Sequence, residues 1–437
     1  MPIRTRLEHY FGFSSHATNW RTEILAGFTT FITMAYIIFV NPSLLSKTGM
    51  PLAAITTATC LCAAFGSILM GALANYPLAL APGMGLNAYF TYTVVLGMGV
   101  PWQTALGAVF LSGIIFLALT FTGIRQRLVA AIPHQLHAAV GGGIGLFIAF
   151  IGFRNAGIIV PSAATTVTLG NVRAPQTALA IFGLLLIALL QVLRVRASML
   201  IGVLTIMFVG VLCHQVHWQP ATYDLTAIKA TAFHLDILGA LHVGALEIIF
   251  VFLFVDLFDN IGTLVAVTQR AGLIAPDHTI PRLNRIFFAD ASSTILGSLA
   301  GTSTVTSYVE SSAGVAAGGR TGVTAIVTGI LFFLSLFIAP FVGAIPTFAT
   351  APALILVGGL MLTGLGEINW DDPQIGIPAF LTVATIPLTW SIADGLSFGL
   401  TSYALLQLLT GRAHRRDWML YLLAALFLLR FIYLVRK

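Results

Sequence analysis

Three carboxylates lie inside long apolar segments of the chain, where a charge is costly and is usually kept for function. Asp256 and Asp259 lie in the run FVFLFVDLFDNIGTLVAV, and Glu310 lies in a later segment. On a helix, Asp256 and Asp259 share roughly one face, with Asn260 and Thr263 nearby. We expect Asp259 to be functional. For Asp256, a function and a structural role satisfied by neighbouring helices both stay open. The other acidic residues are expected in loops or at the ends of spans.

The segment around Glu310 reads AGTSTVTSYVESSAGVAAGGRTG. Its first half is rich in Ser, Thr and Val, which favours an extended backbone, and small residues after Glu310 favour a helix. This pattern predicts a broken span, in which a half-helix begins inside the protein and its free N–H groups form a polar pocket. The alternative is a re-entrant loop without a ligand. The ring of Tyr308 is placed to stack on a flat ligand.

An earlier segment, YPLALAPGMGLNAYFTYTVV, is the expected counterpart of this broken span. Pro82, Gly83 and Gly85 disrupt a regular helix, and Asn87 supplies hydrogen-bond donors and an acceptor just after the break. Phe90 is a second ring that can stack on a flat ligand. Two broken elements at matching places in the two halves of the chain are a stronger signal than either alone.

The first apolar segment, AGFTTFITMAYIIFVNP, ends at Asn41 and Pro42. Met34, Ala35 and Tyr36 lie near its centre and are candidates to line a pocket. We expect them to pack against neighbouring helices instead.

The composition places these segments in a lipid bilayer. Hydrophobic residues make up 58% of the 437 residues and charged residues only 8%, whereas a soluble domain carries about a quarter charged residues. The net charge of +6 comes from 21 Lys and Arg that never form a long run, so we expect no nucleic-acid partner. Three cysteines form no disulfide or metal pattern, and no cofactor or metal is expected.

The order of apolar runs predicts an all-α polytopic membrane protein with about fourteen transmembrane helices, seven on each side of a polar stretch at 214–241. An odd number of spans per half gives an inverted repeat, the plan of many secondary transporters. The runs are 24–45, 52–73, 78–97, 104–123, 137–154, 176–192, 198–214, 244–268, 286–300, 310–317, 322–345, 351–365, 374–391 and 395–410.

Basic residues set the predicted orientation. Arginines follow the fourth, sixth, eighth, tenth and fourteenth runs, which places the N-terminus in the cytoplasm under the positive-inside rule. The N-terminal residues do not read as a cleavable signal peptide. We expect a multi-pass protein of the cell inner (plasma) membrane. The apolar stretch 418–434 is expected to lie at the cytoplasmic interface, with a further span as the alternative.

Four of these segments resemble the Azg-type purine permeases, a branch of the nucleobase–ascorbate transporter superfamily. Two of them, FVDLFDNIGTLVAV and GTSTVTSYVESSAGVAAGGRTG, look more like its guanine/hypoxanthine subgroup. The resemblance implies a seven-plus-seven inverted repeat whose helices 3 and 10 are broken by short antiparallel strands. It also implies a homodimer formed through the gate domain, which comprises helices 5–7 and 12–14. The segments are RTEILAGFTTFITMAYIIFVNP, LALAPGMGLNAYFTYTVV, FVDLFDNIGTLVAV and GTSTVTSYVESSAGVAAGGRTG.

The same resemblance implies a core domain of helices 1–4 and 8–11 and a gate domain of the remaining helices. The expected divisions are a cytoplasmic N-terminus at 1–23, core helices at 24–124, gate helices at 134–214, an extracytoplasmic connection at 215–243, core helices at 244–345, gate helices at 351–411 and a basic, interfacial C-terminal segment at 412–437.

Asp259, Glu310 and Asn87 match the family's substrate-binding positions. Tyr308, Thr263 and Gly85 are expected beside them. The implied function is import of guanine or hypoxanthine by proton symport, with elevator or rocking alternating access. In our interpretation, Asp259 and Glu310 accept N–H groups of the base while Asn87 shapes the pocket. Burial disfavours a charged carboxylate, so Glu310, Asp259 or Asp256 can carry the proton.

Several alternatives stay open at this point. The same fold can serve adenine, xanthine or uracil, an inorganic anion, or coupling to sodium. An anion carrier would require a basic residue at mid-membrane, and the sequence shows none there. An enzyme using Asp256 and Asp259 as a carboxylate pair gives no reason for the broken elements. A channel is a further alternative, but buried carboxylates beside two broken helices fit alternating access better.

Overall fold

The computed structural model describes residues 3–123, 132–217, 225–275, 280–338, 345–413 and 417–433. In these ranges, eight helices are long and apolar enough to cross a membrane, and several shorter apolar helices accompany them. Helices prevail because a backbone inside lipid must satisfy its N–H and C=O groups internally.

Fourteen membrane-crossing elements, which we call spans 1 to 14, follow one another in the described ranges. The predicted plan of seven spans on each side of a central connection is confirmed. The first seven are span 1, Trp20–Met34 and Ile37–Leu45; span 2, Leu52–Leu69 continued by the π-helical Met70–Ala74; span 3, strand β1 Leu80–Pro82, Met84–Ala88 and the π-helical Tyr89–Gly97; span 4, Trp102–Thr122; span 5, His134–Asn155; span 6, Pro175–Val192; and span 7, Ser198–Leu212.

The second half repeats this order. It comprises span 8, Val243–Ala271; span 9, Leu283–Ala300; span 10, strand β4 Val305–Ser307 and the helix Ser311–Ala316; span 11, Gly322–Ser335; span 12, Thr347–Met361; span 13, Pro373–Thr389; and span 14, Ile392–Leu409. Smaller elements lie between and beyond the spans: helices Ile3–Phe11, Ile237–Ala240 and Trp418–Tyr433, 3₁₀ turns Ser46–Thr48, Leu225–Ala230 and Leu362–Glu367, and a hairpin of β2 Ile159–Ser162 and β3 Thr166–Leu169.

The spans pack in two helix groups. In the first helix group, made of spans 1–4 and 8–11, span 2 packs against spans 9 and 11, and span 4 packs against spans 8 and 9. In the second helix group, made of spans 5–7 and 12–14, span 5 packs against spans 12 and 13, and span 6 against spans 7 and 12. The division of the spans into a core domain and a gate domain stays a prediction.

Spans 3 and 10 are broken, and their strands form one buried antiparallel ribbon. Leu80, Ala81 and Pro82 pair with Ser307, Thr306 and Val305. The pairing continues beyond the strands, since the Gly83 N–H donates to the Thr304 carbonyl at 2.9 Å and the Tyr308 N–H to the Ala79 carbonyl at 3.0 Å. The predicted short antiparallel strands are therefore confirmed.

At each outer edge of this ribbon, one side-chain hydroxyl forms hydrogen bonds with a backbone N–H and a backbone C=O group of the strand. The Ser67 hydroxyl, from span 2, accepts the Leu80 N–H and donates to the Leu80 carbonyl, both at 3.0 Å. The Thr294 hydroxyl, from span 9, accepts the Val305 N–H at 3.3 Å and donates to the Val305 carbonyl at 3.0 Å. Spans 2 and 9 occupy equivalent places in the two halves, so the inverted repeat extends to individual hydrogen bonds.

The C-terminal helix Trp418–Tyr433 contacts both helix groups. Phe427 is buried, and its ring centroid lies 4.9 Å from that of Phe250 in span 8. The Tyr421 hydroxyl donates to Gln407 of span 14 at 3.0 Å. The interfacial placement of segment 412–437 stays a prediction.

Glu23 ties span 1 to the start of span 11. Its carboxylate is fully buried and accepts the N–H groups of Arg320 at 3.0 Å and Thr321 at 3.3 Å. It also accepts the hydroxyls of Thr324 at 2.6 Å and Thr18 at 2.9 Å. This acid lies at the end of a span, as expected, and its described bonds are structural.

We expect Glu23→Ala to lower the stability of the purified protein by about 2–4 kcal/mol, because it leaves buried donors without an acceptor. Thermal unfolding in detergent measures the effect. Glu8→Ala is the matched control, since Glu8 also accepts two side-chain donors, from Arg4 and Trp20, but is partly exposed. Equal shifts in the two variants would contradict the prediction.

Candidate functional site

A cavity of about 760 Å³ lies between the two helix groups, within the size range typical of small-molecule sites. Spans 3, 8 and 10 and the break in span 1 form one wall, and spans 5 and 12 form the other. The first wall includes Tyr36, Gly83, Met84, Gly85, Phe258, Asp259, Thr263, Thr306, Ser307, Tyr308 and Glu310. The second includes His134, His137, Ala138, Gly141, Val357, Leu360, Met361, Thr363, Gly364 and Glu367.

Asp259 lies on the cavity face of span 8, and its predicted contact with a substrate stays a prediction. Its carboxylate is close to the break in span 3: a Cβ built on Gly83 would lie 3.7 Å from Asp259 Oδ2 and only 2.7 Å from Thr306 Cγ2. Gly83 therefore leaves room for Thr306 of the ribbon, and a Cβ there would be in ordinary contact with the carboxylate. Asp259 also interacts electrostatically with Glu310 and Asp290.

Glu310 directly precedes the half-helix of span 10 and lines the cavity. The Tyr36 hydroxyl donates to Glu310 Oε1 at 2.7 Å. Tyr36 packs in the buried core and also lines the cavity, where its hydroxyl reaches across from span 1 to a site carboxylate. The hydrogen bond joins two residues 274 positions apart, a pairing that sequence spacing does not reveal.

The ribbon fixes the position of Tyr308 at the cavity wall. Its hydroxyl donates to the Pro82 carbonyl at 2.5 Å, and 5% of the residue is exposed. The neighbouring Ser307 hydroxyl donates to Asn260 Oδ1 of span 8 at 3.0 Å. Because the Tyr308 hydroxyl is already used, its ring is what remains for contact with a ligand.

Gly85 and Thr263 also line the cavity. A Cβ built on Gly85 would lie 2.5 Å from Ile144 Cγ2 of span 5. Glycine at this position thus allows the two helix groups to approach each other beside the cavity.

Asn87 and Asp256 do not line the cavity in the described structure. Asn87 is fully buried, and its amide donates to Asn41 Oδ1 at 2.6 Å. Asn41 in turn donates to Thr59 at 2.8 Å and to Thr302 at 3.0 Å. Asn87 thus joins a network between spans, and its predicted contact with the base stays a prediction. The predicted proton-coupling role of Asp256 likewise stays a prediction.

Phe90 is also buried away from the cavity, against Phe252 of span 8. The aromatic ring that lines the cavity beside Asp259 belongs to Phe258, and it lies 5.0 Å from the ring of His137 in span 5. Sequence reasoning identified neither Phe258 nor His137, because the contact depends on how spans 5 and 8 pack.

Asp290 is a further buried carboxyl that the sequence analysis overlooked. It lies within span 9, is fully buried and interacts electrostatically with Asp259. The signal was available, since an acidic residue in the run RIFFADASSTILG obeys the same membrane rule as Asp259.

Comparison with known proteins gives a family match and full-length relatives. The model of the Permease family (Xan_ur_permease) matches residues 21–432. The chain is 50% identical to the putative permease MJ0326 of Methanocaldococcus jannaschii over 98% of both chains. It is 46% identical to the guanine/hypoxanthine permease PbuG of Bacillus subtilis, covering 98% of this chain and 100% of that one. It is 42% identical to the adenine permease AdeP of Escherichia coli, covering 98% and 96%.

Among solved structures, the chain is similar to the transmembrane domain of the cyanobacterial bicarbonate transporter BicA. The TM-score is 0.64 at 14% sequence identity, covering 87% of this chain and 97% of that chain. At this identity the likeness concerns the fold, and it is a transporter fold with seven-plus-seven spans.

We expect Asp259→Asn and Glu310→Gln to reduce nucleobase uptake severely, and Asp256→Asn to retain most of it. The first two carboxylates line the cavity and Asp256 does not. Uptake of labelled base, normalised to the amount of each variant in the membrane, measures the effects. Loss of uptake in Asp256→Asn together with normal uptake in Asp259→Asn would show that the wrong carboxylate has been assigned.

Proposed function

The chain belongs to the Permease family of nucleobase transporters, and from this premise we propose that it imports guanine and hypoxanthine by proton symport. It is a multi-pass membrane transport protein and not an enzyme. The observation that carries the proposal is the placement of Asp259 and Glu310 on one wall of a single cavity.

The polarity of the cavity supports a neutral base with N–H donors. Carboxylates accept N–H groups, and the ring of Tyr308 offers a flat apolar surface. Among the described lining residues, Arg270 alone carries a permanent positive charge. It lies eleven residues beyond Asp259 on the same helix, about 16 Å away at 1.5 Å per residue. An anionic substrate would therefore face two carboxylates without a nearby cation.

The pattern of donors supports a 6-oxopurine. Guanine and hypoxanthine present N1–H beside a carbonyl oxygen, whereas adenine presents a bare N1 that would face a carboxylate lone pair. Relatives at similar identity include both an adenine permease and a guanine/hypoxanthine permease, so the substrate rests on this chemical argument. Xanthine and uracil also offer N–H groups and are the next candidates.

The arrangement of acids supports coupling to protons. Asp259 interacts electrostatically with both Glu310 and Asp290. Ionised carboxylates in such proximity repel each other, and a single proton relieves that repulsion. We propose that the proton is taken up with the base on the outer side and released inside.

The contacts at the two ends of the cavity support alternating access. Arg270, His134 and Glu367 line one end, and the positive-inside pattern assigns that end of span 8 to the cytoplasm. On the opposite side, Lys47 of the first helix group donates to Asn155 of the second at 2.7 Å. The structure therefore fits an inward-facing state.

Further contacts bridge the two helix groups at the proposed outer side. The Tyr92 hydroxyl donates to Asn155 Oδ1 at 3.3 Å, and the Thr93 hydroxyl donates to the Trp390 carbonyl at 2.6 Å. The Trp390 ring lies 5.8 Å from that of Tyr92. In the proposed cycle these contacts separate when the cavity opens outward.

The same proposal places the protein in the cell inner (plasma) membrane with a cytoplasmic N-terminus, because arginines follow the even-numbered spans. A homodimer formed through the second helix group belongs to the proposal by resemblance to the Azg-type permeases.

In cells that lack their own purine uptake, we expect labelled hypoxanthine uptake to be inhibited by guanine at similar concentrations. Adenine should inhibit only at roughly ten- to hundredfold higher concentrations, since one unmatched buried polar group costs about 1–3 kcal/mol. Xanthine and uracil complete the competition series. Equal inhibition by adenine would remove the 6-oxopurine proposal while leaving a purine transporter.

We expect a protonophore to abolish concentrative uptake and removal of sodium to leave it unchanged. The physical reason is that the cavity offers carboxyl groups able to exchange a proton. Uptake at a fixed membrane potential, with choline replacing sodium as the control, separates the two ions. A sodium requirement under these conditions would overturn proton symport.

A further inference from the structure

Span 1 is interrupted at the level of the cavity. Its helix Trp20–Met34 stops two residues before the helix Ile37–Leu45 begins. Tyr36 lies at this interruption with 1% of its surface exposed, and it lines the cavity. The Tyr36 hydroxyl donates to Glu310 Oε1 at 2.7 Å.

The helix that carries Tyr36 is fixed to both broken spans. Asn41, one turn beyond Tyr36, accepts the Asn87 amide of span 3 and donates to Thr302, just before β4. On the other side of the interruption, a Cβ on Gly314 of span 10 would overlap the Thr30 side chain. The Tyr36 hydroxyl is thus held at a defined place relative to the ribbon.

A glutamate side chain has three rotatable bonds, so an unrestrained Glu310 carboxylate would sample many orientations. A hydrogen bond to Oε1 restricts the carboxylate and leaves Oε2 with its acceptor capacity for a ligand. Ordering this side chain before the ligand arrives removes an entropic cost from binding.

We propose that Tyr36 is a positioning residue that orients Glu310 toward one N–H group of the transported base. This inference rests on the proposed nucleobase function and adds a residue of span 1 to the recognition site. Tyr36 acts through Glu310, and its loss therefore weakens selectivity for the N–H that Glu310 accepts.

A purely structural role would give a different result. Tyr36→Phe keeps the ring and removes only the hydroxyl. The matched control is Tyr76→Phe, since the buried Tyr76 hydroxyl donates to the Pro281 carbonyl at 2.8 Å and Tyr76 does not line the cavity. Both variants lose one tyrosine hydrogen bond, so loss of stability alone would affect them similarly.

The test is equilibrium binding of hypoxanthine, 1-methylhypoxanthine and 9-methylhypoxanthine to the purified full-length protein. Each methyl group removes one N–H donor. In Tyr36→Phe we expect hypoxanthine binding to weaken about five- to tenfold, the scale of ordering one flexible side chain. In the wild-type protein, each methylated base should bind more weakly than hypoxanthine. In Tyr36→Phe we expect this loss of affinity to become smaller for one of the two methylated bases, and that base identifies the N–H that Glu310 accepts. Tyr76→Phe should keep the wild-type affinities and penalties.

Three results would overturn the inference. Wild-type affinities in Tyr36→Phe would show that the hydroxyl does not position Glu310. Equal weakening of all three ligands in Tyr36→Phe would reduce Tyr36 to a structural residue. If the wild-type protein failed to bind any of hypoxanthine, guanine, adenine and uracil, the proposed function itself would be wrong, and this inference would be wrong with it.

Discussion

The structure depends on how the backbone is satisfied where spans 3 and 10 break inside the membrane. Without water, each unpaired N–H or C=O group at that depth would cost several kcal/mol. The ribbon of β1 and β4 pairs the inner edges, and the Ser67 and Thr294 hydroxyls satisfy the outer edges. Because each strand completes the other, neither half of the chain can form its broken span alone. The two halves are therefore joined at the centre of the molecule.

The ribbon also explains why the candidate site lies where it does. The chain leaving β4 brings Tyr308 and Glu310 to the cavity wall just before the half-helix begins. Just beyond the opposite strand, Gly83 lacks the side chain that would collide with Thr306, and it lies close to Asp259. The hydrogen-bonded ribbon and the position of the carboxylates both follow from the breaks in spans 3 and 10. A continuous helix at either place would leave no room for the cavity between the spans.

Much of this architecture could be predicted from sequence, because it follows from local rules. Apolar runs gave fourteen spans, and Pro82 with Gly83 marked one break while the Ser/Thr/Val segment before Glu310 marked the other. The rest depended on tertiary pairing. Tyr36 looked like a packing residue because its partner lies 274 positions away. Asn87 was expected to face the base, yet helical spacing cannot tell that Asn41 lies within hydrogen-bonding distance. Asp290 was missed for a simpler reason: the rule for buried acids was not applied to span 9.

The two walls of the cavity differ in chemistry, and this difference bears on how a base would move. Asp259, Glu310, Tyr36 and Tyr308 all belong to the first helix group, whereas the second group contributes mainly apolar residues and glycines beside His134, His137 and Glu367. In a rocking mechanism, both helix groups would bind the ligand. Each group would then have to break its own contacts with the ligand at a different stage of the cycle. When one helix group provides the hydrogen-bonding contacts, that group can carry the base. The other helix group then presents a surface along which the first group slides. Gly85 and Ile144 bring the two groups into close contact beside the cavity. Within the proposed transport cycle, the distribution of polar groups therefore favours an elevator movement of the first helix group.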